Sequence, residues 1–308
     1  MTLDLTIAAI KTETDRISVF ELTGNGPLPG YTPGAHLDFD LGDAGTRSYS
    51  LIDWQTVDTP ERYVIGVQRE DDGDGGSRHM HGLSVGDVLR ASAPKNDFEL
   101  GDNSGPVLLL AGGIGITPLI SHATALKAAR RDYALHYSGR SADVMAFENA
   151  LKDAHGDALH LWYDDTKPLD LNATLTGLDP ATHLYVCGPK GMIEAAKAAT
   201  DLPDDQVHFE LFTSAATQDD DGSFEVEIND GQVFTIPPGR TIIEVLEDAG
   251  VDLIYDCQRG DCGICQVDVV SGEPDHRDVV LSQAERDSGT VMQICVSRAK
   301  SPRLVLDI

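Results

Sequence analysis

The sequence predicts a multidomain protein of mixed α/β and β class, with a β-barrel over residues 1–104, a parallel α/β domain over 105–212, a linker at 213–222 and a small module over 223–308. Three observations carry this. Short strand-like runs separated by Gly, Pro and Asp turns fill the first third. Apolar strands then alternate with helical stretches. Four cysteines crowd the C-terminal module, spaced Cys257-x4-Cys262-x2-Cys265 and then Cys295 after 29 intervening residues. A chain of 308 residues is long enough for roughly two or three domains.

In the first domain strand-like runs stand at 5–10, 17–21, 36–41, 63–67 and 88–91, and turn clusters such as Gly24-Asn25-Gly26-Pro27 and 71–76 divide them. This even spacing is that of a small barrel. In the second domain, strands at 106–111, 133–137, 158–163, 183–187 and 207–212 alternate with helices at 117–130, 144–154 and 190–199. That order builds a parallel sheet. Residues 213–222, with three consecutive aspartates, read as a solvated linker. The last module opens with a hairpin over 224–236, followed by a helix announced by Thr241 and Glu244 as a capping box and stopped at Gly250.

The cysteine spacing is the plant-type signature of a [2Fe–2S] cluster held by four thiolates. Gly260 and Gly263 let the loop fold tightly around inorganic sulfide, because glycine accepts positive φ and carries no Cβ. Structural zinc is a rival, but it asks for two paired cysteine motifs, and one half is absent here. Disulfides are a second rival and fit poorly with a chain that bears no mark of secretion. Ordinary buried cysteines are the third. The fifth cysteine, Cys187, lies in a different motif.

Two segments in the first domain suit a mononucleotide flavin. Arg47, Ser48, Tyr49 and Ser50 combine a phosphate-gripping guanidinium, an aromatic ring and hydroxyls. Gly75, Gly76 and Ser77 can present backbone amides and a hydroxyl to an anion; the bland alternatives are an ordinary strand and a hairpin tip. His79 and His81 lack metal-ligating neighbours and read as structural.

In the second domain Gly112, Gly113, Gly115, Thr117 and Pro118 occupy a strand-to-helix turn, where open α/β sheets bind dinucleotides. Pro118 suits the first turn of a helix. Cys187, Gly188 and Pro189 end a later parallel strand and can face that turn. Ser138 and Arg140 end another, where ribose or phosphate contacts fall. Tight turns and a buried cysteine are the ligand-free readings.

The order of these motifs resembles the phthalate dioxygenase reductase family, within the ferredoxin–NADP reductase superfamily, over essentially the whole chain. The runs 75–81 and 93–98 look especially like the reductase subunits of vanillate O-demethylase and carnitine monooxygenase. The resemblance implies an FMN-binding barrel, an NADH-binding α/β domain and a plant-type [2Fe–2S] ferredoxin domain of β-grasp fold. It implies that Arg47, Gly76 and Ser77 hold the flavin phosphate, that Tyr49 packs by the flavin and that Ser50 lies near its N5 edge. Gly113, Gly115, Thr117 and Cys187 would line the nicotinamide site, with Ser50, Thr117 and Cys187 at the reacting centre and Phe212 near the flavin. FAD is the alternative flavin. NADPH fits less well, because Arg140 alone makes no 2′-phosphate site and Asp164 and Asp165 oppose one.

The activity implied is an NADH-dependent oxidoreductase that delivers electrons to a separate oxygenase, of Rieske non-haem iron type in this family. A cytochrome P450 is the rival acceptor, and a non-catalytic iron–sulfur carrier or redox sensor is the rival of another class. The net charge of −28 argues against nucleic acid. The acidity is denser from residue 219 onward, with 19 acidic and 7 basic residues. A docking face for a basic partner and adaptation to salt both account for it. A strand-like N-terminus and the lack of long apolar runs lead to the expectation of a cytoplasmic protein, off the membrane and monomeric when free.

Overall fold

The structure, a computed structural model, describes residues 1–56, 59–71, 73, 75–212 and 221–308. Packing divides it after Glu210 into two units, Met1–Glu210 and Leu211–Ile308.

The first unit begins with β1 (Thr2–Thr12), β2 (Ile17–Thr23), β3 (His36–Asp40), β4 (Thr46–Ser50), β5 (Tyr63–Gln68), α1 (Gly76–His81) and β6 (Val88–Ser92). The strands form one antiparallel sheet ordered β4-β3-β6-β1-β2-β5. Alternation sends Leu5, Ile7, Phe20, Leu22, Leu37, Phe39, Tyr63, Ile65 and Val67 into a shared core. The sheet curls until its edges meet. Leu51, just past β4, bridges Ile65 of β5, and the Ile52 amide donates to the Val64 carbonyl at 2.8 Å. Closure removes the open edges and makes the expected barrel.

Gly76 and Ser77 open a helix, which sets aside the bland alternative of a hairpin tip. Gly75 takes φ 92° as the residue before α1, and the Ser77 hydroxyl accepts the Glu70 amide at 2.9 Å. Asp72 and Asp74 of that turn lie outside the described residues.

The unit continues with β7 (Val107–Gly112), α2 (Ile116–Ala128), β8 (Tyr133–Gly139), α3 (Glu148–His155), β9 (Leu159–Tyr163), α4 (Leu171–Leu175), β10 (His183–Cys187), α5 (Lys190–Ala199) and β11 (Val207–Glu210). The five strands are parallel, ordered β11-β10-β7-β8-β9. Central β7 is buried at every position, as an unbroken apolar run should be. The helix expected from 144 starts instead at Glu148, because Phe147 sits in the left-handed region at φ 64° and breaks the approach. The short α4 escaped the sequence reading; Asp170 caps it by accepting the Ala173 amide at 3.0 Å.

Barrel and sheet share a core. Ile17, Val19 and Ile52 pack in one cluster with Ile116, Leu119 and Ile120 of α2. The Ser121 hydroxyl donates to the Leu51 carbonyl at 2.8 Å and accepts the Asp53 amide at 2.9 Å. One residue along, the buried His122 ring contacts the Phe98 carbonyl through Nε2 at 2.9 Å.

The second unit holds β12 (Phe224–Glu227), β13 (Val233–Ile236), α6 (Ile242–Asp248), β14 (Gln266–Ser271), β15 (Pro274–Asp275), α7 (Gln283–Ser288), β16 (Val291–Gln293), β17 (Arg298–Ala299) and β18 (Arg303–Leu306). Its main sheet is ordered β13-β12-β18-β14-β16. Ile242, Ile243 and Leu246 of α6 pack into a core with Phe224, Val226, Ile294 and Leu304, in the manner of a ferredoxin β-grasp. The capping box at Thr241 and Glu244 forms as expected. The linker, apart from Asp221 and Gly222, lies outside the described residues. Asp221 itself is not a solvated linker residue. Its side chain is 12% exposed, and it takes a two-pronged contact from Arg277 at 2.8 and 2.7 Å. A planar guanidinium matches a carboxylate in that way and draws the chain inward. Among the described residues no helix is long and apolar enough to cross a membrane.

Candidate functional site

The residues singled out in the sequence fall into three groups in the structure. The first lies on β4 and α1. Arg47 reaches over the start of α1, so that a β-carbon at Gly76 would stand 2.5 Å from its Nε. The two motifs, 29 positions apart, therefore meet, and the guanidinium sits beside the Gly76 backbone. Tyr49 lies against Phe39 with ring centroids 5.8 Å apart, and burial pushes its phenol up to about 12. Ser48 points its hydroxyl to Asp38 on the neighbouring strand at 2.5 Å. Burial alone would raise the Asp38 carboxyl, but the hydrogen bonds from Ser48 and Lys95 hold it below its usual range. Ser50 is 4% exposed, and its hydroxyl has no hydrogen-bond partner among the described residues. A buried hydroxyl left open is costly unless something fills the place. A bound group that accepts or donates a hydrogen bond at Ser50 would meet that need.

The second group sits at the carboxyl edge of the parallel sheet. Cys187 of β10 pairs in register with Ala111, and Gly112 of β7 pairs with Ser138 of β8. Register thus brings the three strand ends side by side. The turns press together closely. A β-carbon at Gly112 would meet the Met192 sulfur at 2.5 Å and Pro189 at 2.8 Å, and one at Gly188 would lie 3.1 Å from the Gly112 backbone. Gly113 differs. It takes φ 56° and its β-carbon position has nothing within 4 Å, so this glycine faces open space where a ligand's phosphates can approach. Cys187 is fully buried. Thr117 is 1% exposed, donates to the Ile114 carbonyl at 3.0 Å and turns its methyl toward Gly66 of β5. Pro118 is buried within the first turn of α2. Arg140 is exposed just past β8, and the Asp165 amide donates to its carbonyl at 3.2 Å.

Gly66 and Met192 were missed by sequence reasoning. Gly66 had a signal, since a lone glycine inside a strand often marks close backbone approach. Its β-carbon would stand 3.0 Å from Thr117 Cγ2 and 3.5 Å from Phe147 and Ile52, which makes it one of the contact points of barrel and sheet. Met192 had none.

The third group is the cysteine loop of the second unit. Gln258, Gly260 and Gly263 all take positive φ, at 52°, 84° and 78°. Two of these three are the glycines expected from the sequence. A β-carbon at Gly260 would meet Val296 at 2.7 Å and Asp278 at 3.0 Å, so space and backbone both demand glycine there. Cys265 and Cys295 are buried, whereas Cys257 and Cys262 are half-exposed. The four thiols act on one another. Hydrogen bonds from Cys262 and Cys295 draw the Cys257 thiol down, and those contacts push Cys262 and Cys295 up. Cys265 is likewise drawn down, first by Cys295. The Arg259 amide donates to the Cys257 sulfur at 3.3 Å. Among the described residues no three His, Cys, Asp or Glu side chains are grouped to hold one metal ion. A [2Fe–2S] cluster asks for something else, four thiolates spread over two irons, and this donor set fits it. Asp261, within the loop, is pushed up to about 7 by burial against the pull of Arg259.

Phe212, at 37% exposed, falls by packing into the second unit.

Known proteins bear on all three groups. Residues 226–300 match the 2Fe-2S iron-sulfur cluster binding domain, and residues 109–198 match the oxidoreductase NAD-binding domain. A tetrachlorobenzoquinone reductase of Sphingobium chlorophenolicum is 41% identical over 320 residues, spanning 100% of this chain and 98% of its own. A vanillate O-demethylase oxidoreductase of Pseudomonas sp. (strain HR199 / DSM 7063) is 40% identical, spanning 94% of each chain. Among solved structures, phthalate dioxygenase reductase superposes with a TM-score of 0.74 at 37% identity, covering 100% of this chain and 98% of that one.

Proposed function

The chain belongs to the phthalate dioxygenase reductase family, and from that premise we propose that it is an NADH-dependent flavin iron–sulfur oxidoreductase, the reductase component of an oxygenase system. The observation that carries this is the presence in one chain of the four-thiol loop, the paired strand-end turns and the Arg47–Gly76 cradle. FMN, NADH and a [2Fe–2S] cluster are its cofactors. Domains run over 1–104, 105–212 and 223–308, joined by 213–222.

A bound flavin would supply the exchange between two-electron hydride chemistry and single-electron transfer that a [2Fe–2S] cluster requires. The chain supplies binding and orientation. Arg47 holds the flavin phosphate together with the amides of Gly75 and Gly76 and with Ser77. Tyr49 packs by the ring system. The open hydroxyl of Ser50 donates to the flavin ring. The amides of Gly112, Gly113 and Gly115 receive the dinucleotide's phosphates, and Ser138, Arg140, Gly188 and Pro189 flank it. Thr117 and the sealed Cys187 shape the nicotinamide's seat and exclude water. Cys257, Cys262, Cys265 and Cys295 hold the irons.

The acceptor in this reading is a Rieske-type oxygenase, and the protein is cytoplasmic and monomeric when free. Anaerobic titration of the purified holoprotein with NADH tests the core of the reading. Bleaching of flavin and iron–sulfur absorption supports it; a protein that binds flavin yet ignores NADH refutes it. Product formation with a Rieske oxygenase but not with a cytochrome P450 decides the partner.

The tetrachlorobenzoquinone reductase relative favours a second reading, in which a quinone is the acceptor. NADH-driven reduction of a chlorinated benzoquinone at a rate above that with any oxygenase would select it.

A further inference from the structure

Asp261 stands in the middle of the cysteine loop, yet it is neither a ligand nor exposed. Its side chain is 4% exposed. One carboxylate oxygen, Oδ2, accepts the Leu211 amide at 2.8 Å and faces Arg259 Nε at 3.4 Å. The loop carries three residues with positive φ, a backbone path that needs holding from outside. On one side the hold is internal to the module, where the Val279 amide donates to the Gly260 carbonyl at 3.0 Å. On the other side it comes through Asp261 from Leu211. That residue is 1% exposed and lies outside both matched segments, 109–198 and 226–300.

We propose that Asp261 is a positioning residue for the iron–sulfur cluster, its carboxylate tethering the incoming chain at Leu211 to the loop that carries Cys257 and Cys262. The proposal rests on the reading of the four cysteines as cluster ligands. Its physical basis is the cost of leaving a buried amide unpaired. Without the carboxylate the Leu211 N–H loses its acceptor, and both the loop and the incoming segment gain freedom. A loop that wanders holds its cluster less durably and receives electrons more slowly.

The test starts with the unaltered holoprotein. Hydrogen exchange at the Leu211 amide must be protected; fast exchange there overturns the proposal at once. Two variants follow. Asp261→Asn keeps a carbonyl oxygen to accept the Leu211 amide, and Asp261→Ala removes it. Asp261→Ala should speed Leu211 exchange about tenfold, the weight of one net hydrogen bond. It should also shorten the lifetime of the iron–sulfur absorption under a chelator and slow cluster reduction after mixing with NADH. Asp261→Asn should stay near wild type in all three. Equal damage in both variants, or none in Asp261→Ala, overturns the tether. If Asp261→Ala does not accumulate, Asp261→Asn and the wild-type exchange still decide. A purified protein that binds no cluster at all refutes the functional reading, a result distinct from any of these.

Discussion

The backbone of Gly115 lies so close to Cys187 that a β-carbon at 115 would stand 2.5 Å from the Cys187 carbonyl carbon and 2.8 Å from the Gly188 nitrogen. Two residues 72 positions apart thus meet backbone to backbone, Cys187 at the end of β10 and Gly115 at the entry to α2, and neither can shift without moving its element. Gly115→Ala should destabilise the first unit by about 1–3 kcal/mol through overpacking. It should also raise the KM for NADH in ferricyanide reduction. Gly113→Ala meets no atom and faces only the strain of φ 56°, on the order of 1 kcal/mol. Chemical denaturation and steady-state kinetics on the two variants should therefore rank them, with Gly115→Ala the worse in stability.

Ser50 tests the flavin site. Its hydroxyl is buried and has no partner among the described residues. Removing it should cost no folding stability, since no hydrogen bond within the chain is lost. If the hydroxyl serves the bound flavin, Ser50→Ala should slow flavin reduction by NADH by about tenfold, read by stopped-flow absorbance, while the thermal midpoint holds. A fall in both would make Ser50 a structural residue.

Cys262→Ser tests modularity. The substitution takes one ligand from the loop of the second unit and leaves the first unit untouched. Iron–sulfur absorption and electron delivery to cytochrome c should disappear. Flavin reduction by NADH should remain within about twofold of wild type, the scale of ordinary variation away from a perturbed site. Loss of NADH-driven flavin reduction would show that the two units do not act separately.

His122 tests the joint of barrel and sheet. Burial lowers its pKa to about 4, against hydrogen bonds to the Phe98 and Pro33 backbone that favour the charged ring, and His208 adds to the lowering. The folded protein therefore keeps the ring neutral where the unfolded chain would protonate it. Its contribution to stability is whole above about pH 6.5, declines as the pH falls, and is lost near pH 4. The span amounts to about 3 kcal/mol for a shift of this size. His136 and His155 are lowered to about 4 in the same direction, chiefly by burial. Thermal midpoints of His122→Gln should thus fall less steeply than wild type between pH 7 and pH 4, without becoming flat. A slope equal to wild type would remove His122 from the account.

Much of this protein is decided locally and was legible in the residues alone. Cys257, Cys262 and Cys265 lie within nine positions, so their spacing points to a cluster before any fold is known. Gly260 and Gly263 announce a loop with positive φ, Thr241 and Glu244 announce a helix start, and the alternation of apolar and polar runs separates barrel from parallel sheet. Each of these signals acts over a few residues, where backbone sterics and hydrogen bonding are set by near neighbours. The tertiary structure alone decided the rest. It made Gly76 the start of a helix beneath Arg47. It drew Asp221 out of a supposed solvated linker and onto Arg277. It set Gly66 against Thr117, Gly115 against Cys187 and Asp261 against Leu211. These pairs are joined by packing between chain segments 50 or more positions apart, where only the burial of distant surfaces selects the partner.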